Sequence, residues 1–248
     1  MYPYDPQLQA AVERPPQTIA DVLATMHAID ALTVDGDGLK WFNWLYMEVT
    51  TAVAQQVGQG GFNDPRWLAE LDVQFARLYF DALACQLSGK RAARCWRALF
   101  DRRSQPQVAR IQFALAGINA HINHDLALAI DATCQVTYTA PNHGSTQYRD
   151  YTTVNGTLDG LVDLARQRLM VRLLGDALPE VSHLEDTVAA WKMSAAREAA
   201  WVNAEVLWNL RGMPALWARY IDTMDGITTV AGKALLVPVP VVTAVVGA

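Results

Sequence analysis

The stretch Ala114–Leu128, ALAGINAHINHDLAL, decides the fold of this chain. Apolar residues fall on nearly every side of a helix drawn through it, and a helix that is hydrophobic all round is normally buried. Small residues such as Gly117 and Ala120 let neighbouring backbones approach it closely. The stretch therefore predicts a buried central helix with other helices packed around it.

Five polar residues interrupt this apolar helix: Asn119, His121, Asn123, His124 and Asp125. At about 100° per residue, the two histidines and the aspartate share an arc of roughly 100°, and the asparagines lie near the opposite side. His121 and Asp125 are four residues apart, so their side chains can meet. A buried carboxylate beside an imidazole is costly unless the two are paired. The pair is a candidate for acid/base chemistry or for part of a metal site, and the alternative is a polar network that only specifies packing. The asparagines favour that second interpretation, as caps on backbone groups of neighbouring helices.

Helical spacing of apolar residues continues along the rest of the chain. Thr18, and Asp64 followed by Pro65, are typical helix starts. The spacing predicts eight helices, over residues 18–32, 39–57, 64–86, 91–102, 106–135, 148–174, 184–211 and 213–233. No convincing strand pattern occurs. We predict an all-α fold, a single-domain helical bundle of about seven or eight helices, in three regions: an N-terminal arm at 1–17, the domain at 18–236 and an apolar C-terminal tail at 237–248.

One of these helices carries acids on an apolar stripe. The stripe follows a 4-3-4-3-4-3 spacing through Thr187, Trp191, Ser194, Glu198, Trp201, Glu205 and Trp208. Two glutamates occupy positions where leucine would be expected. They either face a cavity or form salt bridges with Arg197, Arg211 or a basic residue elsewhere.

Further polar residues lie at the edges of other apolar faces. Asp72 and Tyr79 flank the apolar face of the helix that begins near Asp64, and Tyr46 lies on a polar edge of the 39–57 helix. Together with the tryptophans, these residues predict a polar pocket inside a helical bundle. Such a pocket is typical of a small-molecule site.

Composition narrows the class of protein. The chain has 248 residues, of which 52% are hydrophobic and 18% charged, so it can bury a core and is not a disordered chain. Its net charge of −5 argues against a nucleic-acid partner. No basic-then-apolar leader opens the sequence, so a cytoplasmic location is expected. The apolar end, ALLVPVPVVTAVVGA, is shorter than the roughly 20 residues that span a bilayer, so stable membrane insertion is not expected.

Residues 117–126, GINAHINHDL, resemble the signature Gly-Ile/Met-Asn-Ala-His-Ile-Asn-x-Asp-Leu of an uncharacterised bacterial family, a domain of unknown function. Flanking segments are also similar, namely MHAID (26–30), DGLKWFNWLYMEVT (37–50), LDVQFARLYFDAL (71–83) and AAREAAWVNAEVLW (195–208). The resemblance spans most of residues 20–236. It implies a helical domain and points to Asn119, His121, Asn123 and Asp125, with His124 at the variable position. It implies no activity.

The leading hypothesis is an enzyme that acts on a small, largely apolar molecule without a cofactor. His121 would be the acid/base and Asp125 would orient it, with Glu198 and Asp72 as candidate second carboxylates. The residues expected to bind substrate are Asn119, Asn123, Tyr46, Tyr79, Trp191 and Trp201. Such a site suits a cyclase, isomerase, lyase or hydrolase, with natural-product tailoring as one setting.

Two alternatives come from other classes of protein. The first is a metal-dependent hydrolase, in which His121, His124 and a carboxylate, Asp125 or one from another helix, hold a divalent metal such as zinc. The second is a non-catalytic small-molecule-binding or scaffold protein, in which the polar groups only specify packing. The sequence leaves the oligomeric state open, a homo-oligomer included.

Overall fold

Side-chain caps fix where several helices begin. Thr18 accepts a hydrogen bond from the backbone N–H of Asp21, whose carboxylate accepts one from the Thr18 N–H in return. Asp37 caps the following helix through the N–H of Leu39. Asp64 caps the next one, with proline at its first position as predicted. Such caps satisfy backbone donors that the first turn of a helix leaves without an intrahelical partner.

The computed structural model describes residues 2–156 and 193–238, and within them the chain is helical without any strand. The helices before the central one are α1 (Asp5–Val12), α2 (Ile19–Leu32), α3 (Gly38–Gln59), α4 (Pro65–Leu87) and α5 (Arg94–Phe100). The central helix consists of α6 (Arg110–Ala120), a π-helical segment (His121–Asp125) and α7 (Leu126–Thr137). After it come α8 (helical residues 146–156), α9 (Met193–Leu210) and α10 (Pro214–Leu235). The prediction of an all-α, single-domain bundle is confirmed.

The predicted N-terminal arm contains an additional helix, α1, which packs against α2 and α4. Its Leu8 and Val12 are buried, and Asp5 forms an ion pair with Arg103 at 2.7 Å. A helix of only eight residues holds too few apolar repeats for spacing to reveal it. Residues 157–174 of the predicted 148–174 helix, residues 184–192 of the predicted 184–211 helix and the C-terminal tail beyond residue 238 lie outside the described residues.

The central helix is buried, as predicted, because helices contact it on all sides. α3, α5 and α10 pack against α6, while α4 and α9 pack against α7. No helix within residues 2–156 and 193–238 combines the length and the apolar character needed to cross a membrane.

Close packing of α3 on α6 depends on two glycines that face phenylalanines. A Cβ on Gly117 would overlap the ring of Phe42, and a Cβ on Gly38 would overlap the ring of Phe113. Each helix therefore supplies one glycine and one phenylalanine, four residues apart, to the same contact. Because Gly38 meets Phe113 and Phe42 meets Gly117, the two helices run in the same direction here.

Gly117→Ala is expected to destabilise the protein by about 1–3 kcal/mol, the usual cost of overpacking a core. The Phe42 ring cannot easily move aside, because it contacts Tyr79, Trp96 and His121. Thermal and urea unfolding would measure the loss. The matched control is Gly58→Ala in α3, where a Cβ meets no atom within 4 Å, and which should be neutral or slightly stabilising. Equal melting temperatures for Gly117→Ala and the parent would contradict the packing argument.

Candidate active site

The polar residues of the central helix coincide with a local change in its backbone. The N–H of Leu126 donates to the carbonyl of His121, five residues back, where an α-helix would bond four residues back. A single π-turn of this kind inserts one residue into a helix, and such turns are frequent at functional sites. Here it carries His121, His124 and Asp125, all of them buried.

Asp125 gathers three ring N–H groups on one carboxylate. Its Oδ2 lies 3.0 Å from Nδ1 of His121 and accepts from Nε1 of Trp96 at 2.8 Å, and its Oδ1 lies 2.7 Å from Nδ1 of His124. Burial would raise the pKa of Asp125, but the hydrogen bonds from the two imidazoles outweigh burial and hold that pKa below its usual value. Asp125 is therefore ionised near neutral pH and can only accept hydrogen bonds. Both histidines must then carry a proton on Nδ1.

His121 presents a free nitrogen in apolar surroundings. Its ring stacks on Phe75 with centroids 3.5 Å apart and meets the edge of Tyr46 at 4.4 Å. Its Nε2 is buried and has no hydrogen-bond partner in the described part of the chain. Burial lowers the pKa of His121 in spite of its contact with Asp125. The ring is thus neutral, with its proton on Nδ1 and a lone pair on Nε2.

His121 lies in the wall of a cavity of about 100 Å³, called here the His121 cavity. The other polar lining residues within the described ranges are Tyr46, Asp72 and Arg197. The remaining lining is apolar and comes from Phe42, Leu45, Val49, Val53, Leu68, Leu71, Phe75, Ile118, Ile122, Leu126, Val154 and Met193. For comparison, an engineered apolar cavity of about 150 Å³ binds benzene. The His121 cavity is therefore of the size and character to hold a small apolar molecule.

Among the described residues, Oδ2 of Asp72 in this wall is also buried without a hydrogen-bond partner, whereas the hydroxyl of Tyr46 lies beside the hydroxyl of Thr50. Burial raises the pKa of Asp72 to about 7, and burial together with the charge of Asp72 raises the pKa of Tyr46. Buried polar atoms are nearly always hydrogen-bonded, so Oδ2 of Asp72 and Nε2 of His121 are the two atoms of this wall that a ligand would satisfy.

Asp72→Asn is expected to stabilise the protein by about 1–2 kcal/mol at pH 8, because it removes a carboxylate that is ionised there without a partner. The folded-state pKa of Asp72 lies above its unfolded value, so the wild type loses stability as pH rises from near 3.8 through about 7. The variant lacks this loss. Its gain in melting temperature should therefore shrink towards pH 4. The control is Glu13→Gln at an exposed site. A gain that does not depend on pH would contradict the assignment.

The structure does not bring Glu198 to the His121 cavity. Its carboxylate lies 2.7 Å from Nε2 of His143 and accepts from the hydroxyl of Tyr148 at 2.8 Å. Glu205 lies 2.7 Å from the other nitrogen of His143. Of the two roles considered for these acids, the observed one is pairing with a basic residue elsewhere. The hydrogen bonds that Glu198 and Glu205 accept from His143 raise the pKa of this histidine, which is exposed.

The two asparagines act within the helix packing. Asn119 donates to the backbone carbonyl of Thr228 in α10 at 2.9 Å, and Asn123 donates to Asn119 at 3.0 Å. Neither lines the His121 cavity. Asn119 caps a backbone group of a neighbouring helix, as expected, whereas Asn123 binds the Asn119 side chain instead of a backbone group. Neither position gives direct contact with a molecule in the cavity.

The predicted aromatic binding residues divide into two groups. Tyr46 lines the cavity, whereas Trp201 is buried against Trp67 and Tyr151, away from it. Tyr79 is buried but does not line the cavity, and its hydroxyl donates to the side-chain oxygen of Asn43 in α3. Trp191 lies outside the described residues.

His124 faces a different group of side chains from the one predicted for a metal. Ligand atoms of Cys95, His124 and Asp225 lie within 4.8 Å of one another. Asp225 already accepts from the backbone N–H groups of Arg94 and Cys95 and from the Arg94 guanidinium, so it caps α5. Burial raises the pKa of the Cys95 thiol far above its usual value. A capping carboxylate beside a guanidinium and a protonated thiol fit a structural role better than a cation site.

Sequence reasoning missed Arg197 as part of the site and named it only as a salt-bridge partner. Arg197 is 6% exposed and lies in the wall of the cavity. The signal was present, because Arg197 occupies the buried 3-4-3 row of α9 that continues through Ala200, Ala204 and Leu207. An arginine at an apolar position of a helix face is unusual enough to mark a site.

The fold and the site together define an all-α protein with a His–Asp pair in the wall of an apolar cavity. The chain belongs to the family of unknown function DUF5995, which matches residues 19–238. No curated protein and no solved structure matches it.

Proposed function

We propose that this protein is an enzyme that uses His121 as an acid/base on a small, largely apolar molecule held in the His121 cavity. One observation carries the proposal: Nε2 of His121 is buried at the cavity wall and has no hydrogen-bond partner among residues 2–156 and 193–238, while Nδ1 is fixed by Asp125. A histidine that served only packing would be expected to have both nitrogens satisfied.

The pKa shifts support a division of roles between His121 and Asp72. A lowered pKa keeps His121 neutral and able to take a proton, whereas a pKa of about 7 lets Asp72 carry a proton to give. Pairs of titratable groups whose environments push their pKa values apart are typical of acid/base sites. The supported reaction class is a proton shift, as in an isomerase or lyase. Cyclisation and hydrolysis use the same groups.

In the proposed step, Nε2 takes a proton from an acidic C–H of the substrate, and the electron pair moves towards an adjacent acceptor such as a carbonyl. The imidazolium that forms is stabilised by Asp125. Asp72 then gives its proton to another atom of the substrate, so the substrate is neither oxidised nor reduced. His121 and Asp72 exchange the remaining proton through product or water and regain their starting states.

The experiment has two parts. Nitrogen NMR of 15N-histidine-labelled protein should find His121 neutral at pH 7, with Nδ1 protonated, Nε2 unprotonated and a pKa below 6.5. His121→Gln assigns its signals. A panel of small ketones, lactones and esters is then screened for loss of an acidic C–H proton to deuterated water. A protonated Nε2 would contradict the proposal.

Turnover separates the enzyme from a non-catalytic binding protein. If ligands bind the cavity and none exchanges or reacts, the binding protein is favoured. We also propose a cytoplasmic location, since Cys85, Cys95 and Cys134 are free, as expected in a reducing compartment.

A further inference from the structure

Arg197 on α9 is a buried arginine that lines the His121 cavity. Its Nε donates to the side-chain oxygen of Asn155 at 2.6 Å, and its Nη2 donates to the backbone carbonyl of Tyr151 at 2.8 Å. The guanidinium also lies over the Tyr151 ring, 4.0 Å from its centroid. These contacts hold the group rigidly in one place. They use two of its five N–H donors and leave Nη1 without a partner among the described residues.

None of these partners carries a negative charge. Within residues 2–156 and 193–238, no carboxylate lies within salt-bridge distance of Arg197. The neighbouring Glu198 is directed instead to His143 and Tyr148. Burial without a counter-charge lowers the pKa of Arg197. Buried charges in proteins are normally paired, so a rigid unpaired cation in a cavity wall indicates that the counter-charge comes with the ligand.

We propose that the His121 cavity binds a small apolar molecule that carries a carboxylate, with the carboxylate on the Arg197 guanidinium and the apolar body in the cavity. This inference names the substrate class of the proposed enzyme, and to that extent it rests on the proposed function. Arg197 is then a binding residue that orients the substrate relative to Nε2 of His121.

The lining favours a carboxylate over a phosphate. Arg197 is the one basic residue among the described lining residues apart from the neutral His121, and Asp72 lies in the same wall. A phosphate dianion would leave one charge uncompensated in an apolar cavity, whereas a monoanion is balanced by a single guanidinium. Two N–H donors of a guanidinium also match the two oxygens of a carboxylate. The cavity of about 100 Å³ suits one ring or a short chain.

The test is a binding comparison on the full chain that does not depend on turnover. Benzoate and hexanoate are titrated at pH 7 by calorimetry or ligand-observed NMR beside the matched neutral amides, benzamide and hexanamide. Wild type should bind each carboxylate at least about tenfold more tightly than its amide, as a charge-assisted pair would give. Arg197→Gln should abolish this preference. The control Arg91→Gln, at an exposed arginine, should keep it.

Several outcomes would overturn the inference: no binding of the carboxylates, equal affinity for acid and amide in wild type, or an unchanged preference in Arg197→Gln. If Arg197→Gln does not fold, the wild-type comparison and Arg197→Lys decide, because lysine keeps the charge and should keep part of the preference. His121→Gln separates the two proposals. Carboxylate binding that survives in His121→Gln, from a parent without turnover, would leave this inference standing and contradict the enzyme. Turnover of neutral substrates at the wild-type rate in Arg197→Gln would contradict this inference and leave the proposed enzyme standing.

Discussion

His121→Gln should reduce kcat about 10²- to 10⁴-fold, the usual contribution of a positioned general base. Glutamine is similar in size and can still donate to Asp125, but it offers no basic nitrogen to the cavity. The stacking of the ring on Phe75 is also lost, so a modest fall in melting temperature is expected. The measurement is the rate of proton exchange or turnover on a substrate found by the screen.

The control for this prediction is His27→Gln, because His27 is an exposed histidine of α2. Its rate should equal that of the wild type. A pH profile gives a second readout: with His121 as base and Asp72 as acid, the rate should fall below the lowered pKa of His121 and above about pH 7. Full activity in folded His121→Gln would remove His121 from the mechanism.

Asp125→Asn should reduce kcat about 10²- to 10³-fold, because it removes the negative charge that stabilises the His121 imidazolium, with most of the fold retained. Ionised Asp125 can only accept, which keeps the proton of His121 on Nδ1. Because Nε1 of Trp96 can only donate, the amide oxygen of an asparagine should take the Oδ2 position, which also accepts from His121, and its NH₂ group should face Nδ1 of His124. His121 would then keep its lone pair on Nε2, but the imidazolium formed in the reaction would lose its counter-charge.

Nitrogen NMR distinguishes this mechanism from simple destabilisation, because in the folded variant the protonated nitrogen of His124 should change from Nδ1 to Nε2 and the pKa of His121 should fall further. Asp225→Asn is the matched control, since Asp225 is a buried carboxylate that caps α5 and does not line the cavity. It should cost stability without changing the tautomer of either histidine. Wild-type turnover in Asp125→Asn would contradict the role of the pair.

Local rules were sufficient for most of the fold. The cap at Thr18 and the Asp64–Pro65 start are decided within four residues, and the apolar spacing of α3 and α4 is a property of single helices. α1 escaped prediction because its stability comes from contacts with α2 and α4 and from the ion pair to Arg103. A contact between distant segments leaves little trace in the sequence of a short helix.

The candidate site could be predicted only in part, for the same reason. His121 and Asp125 lie on one helix, so their spacing was enough to predict that they meet. Trp96 of α5 donates to Asp125, and Phe75 of α4 stacks on His121. Glu198 does not contact this pair and binds His143, which lies just before α8. The spacing along α9 places Arg197 in the row with Ala200, Ala204 and Leu207, but it could not show which cavity that row faces.

The sequence by itself determined the helices other than α1, the burial of the central one and the pairing of His121 with Asp125, because each depends on periodicity within a single helix. Only the tertiary structure decided which side chains share a cavity with His121. Which residues line the cavity depends on how α3, α4, the central helix and α9 pack against one another. The same packing leaves Nε2 of His121 and Nη1 of Arg197 without partners in the described part of the chain, and both proposals rest on those two atoms.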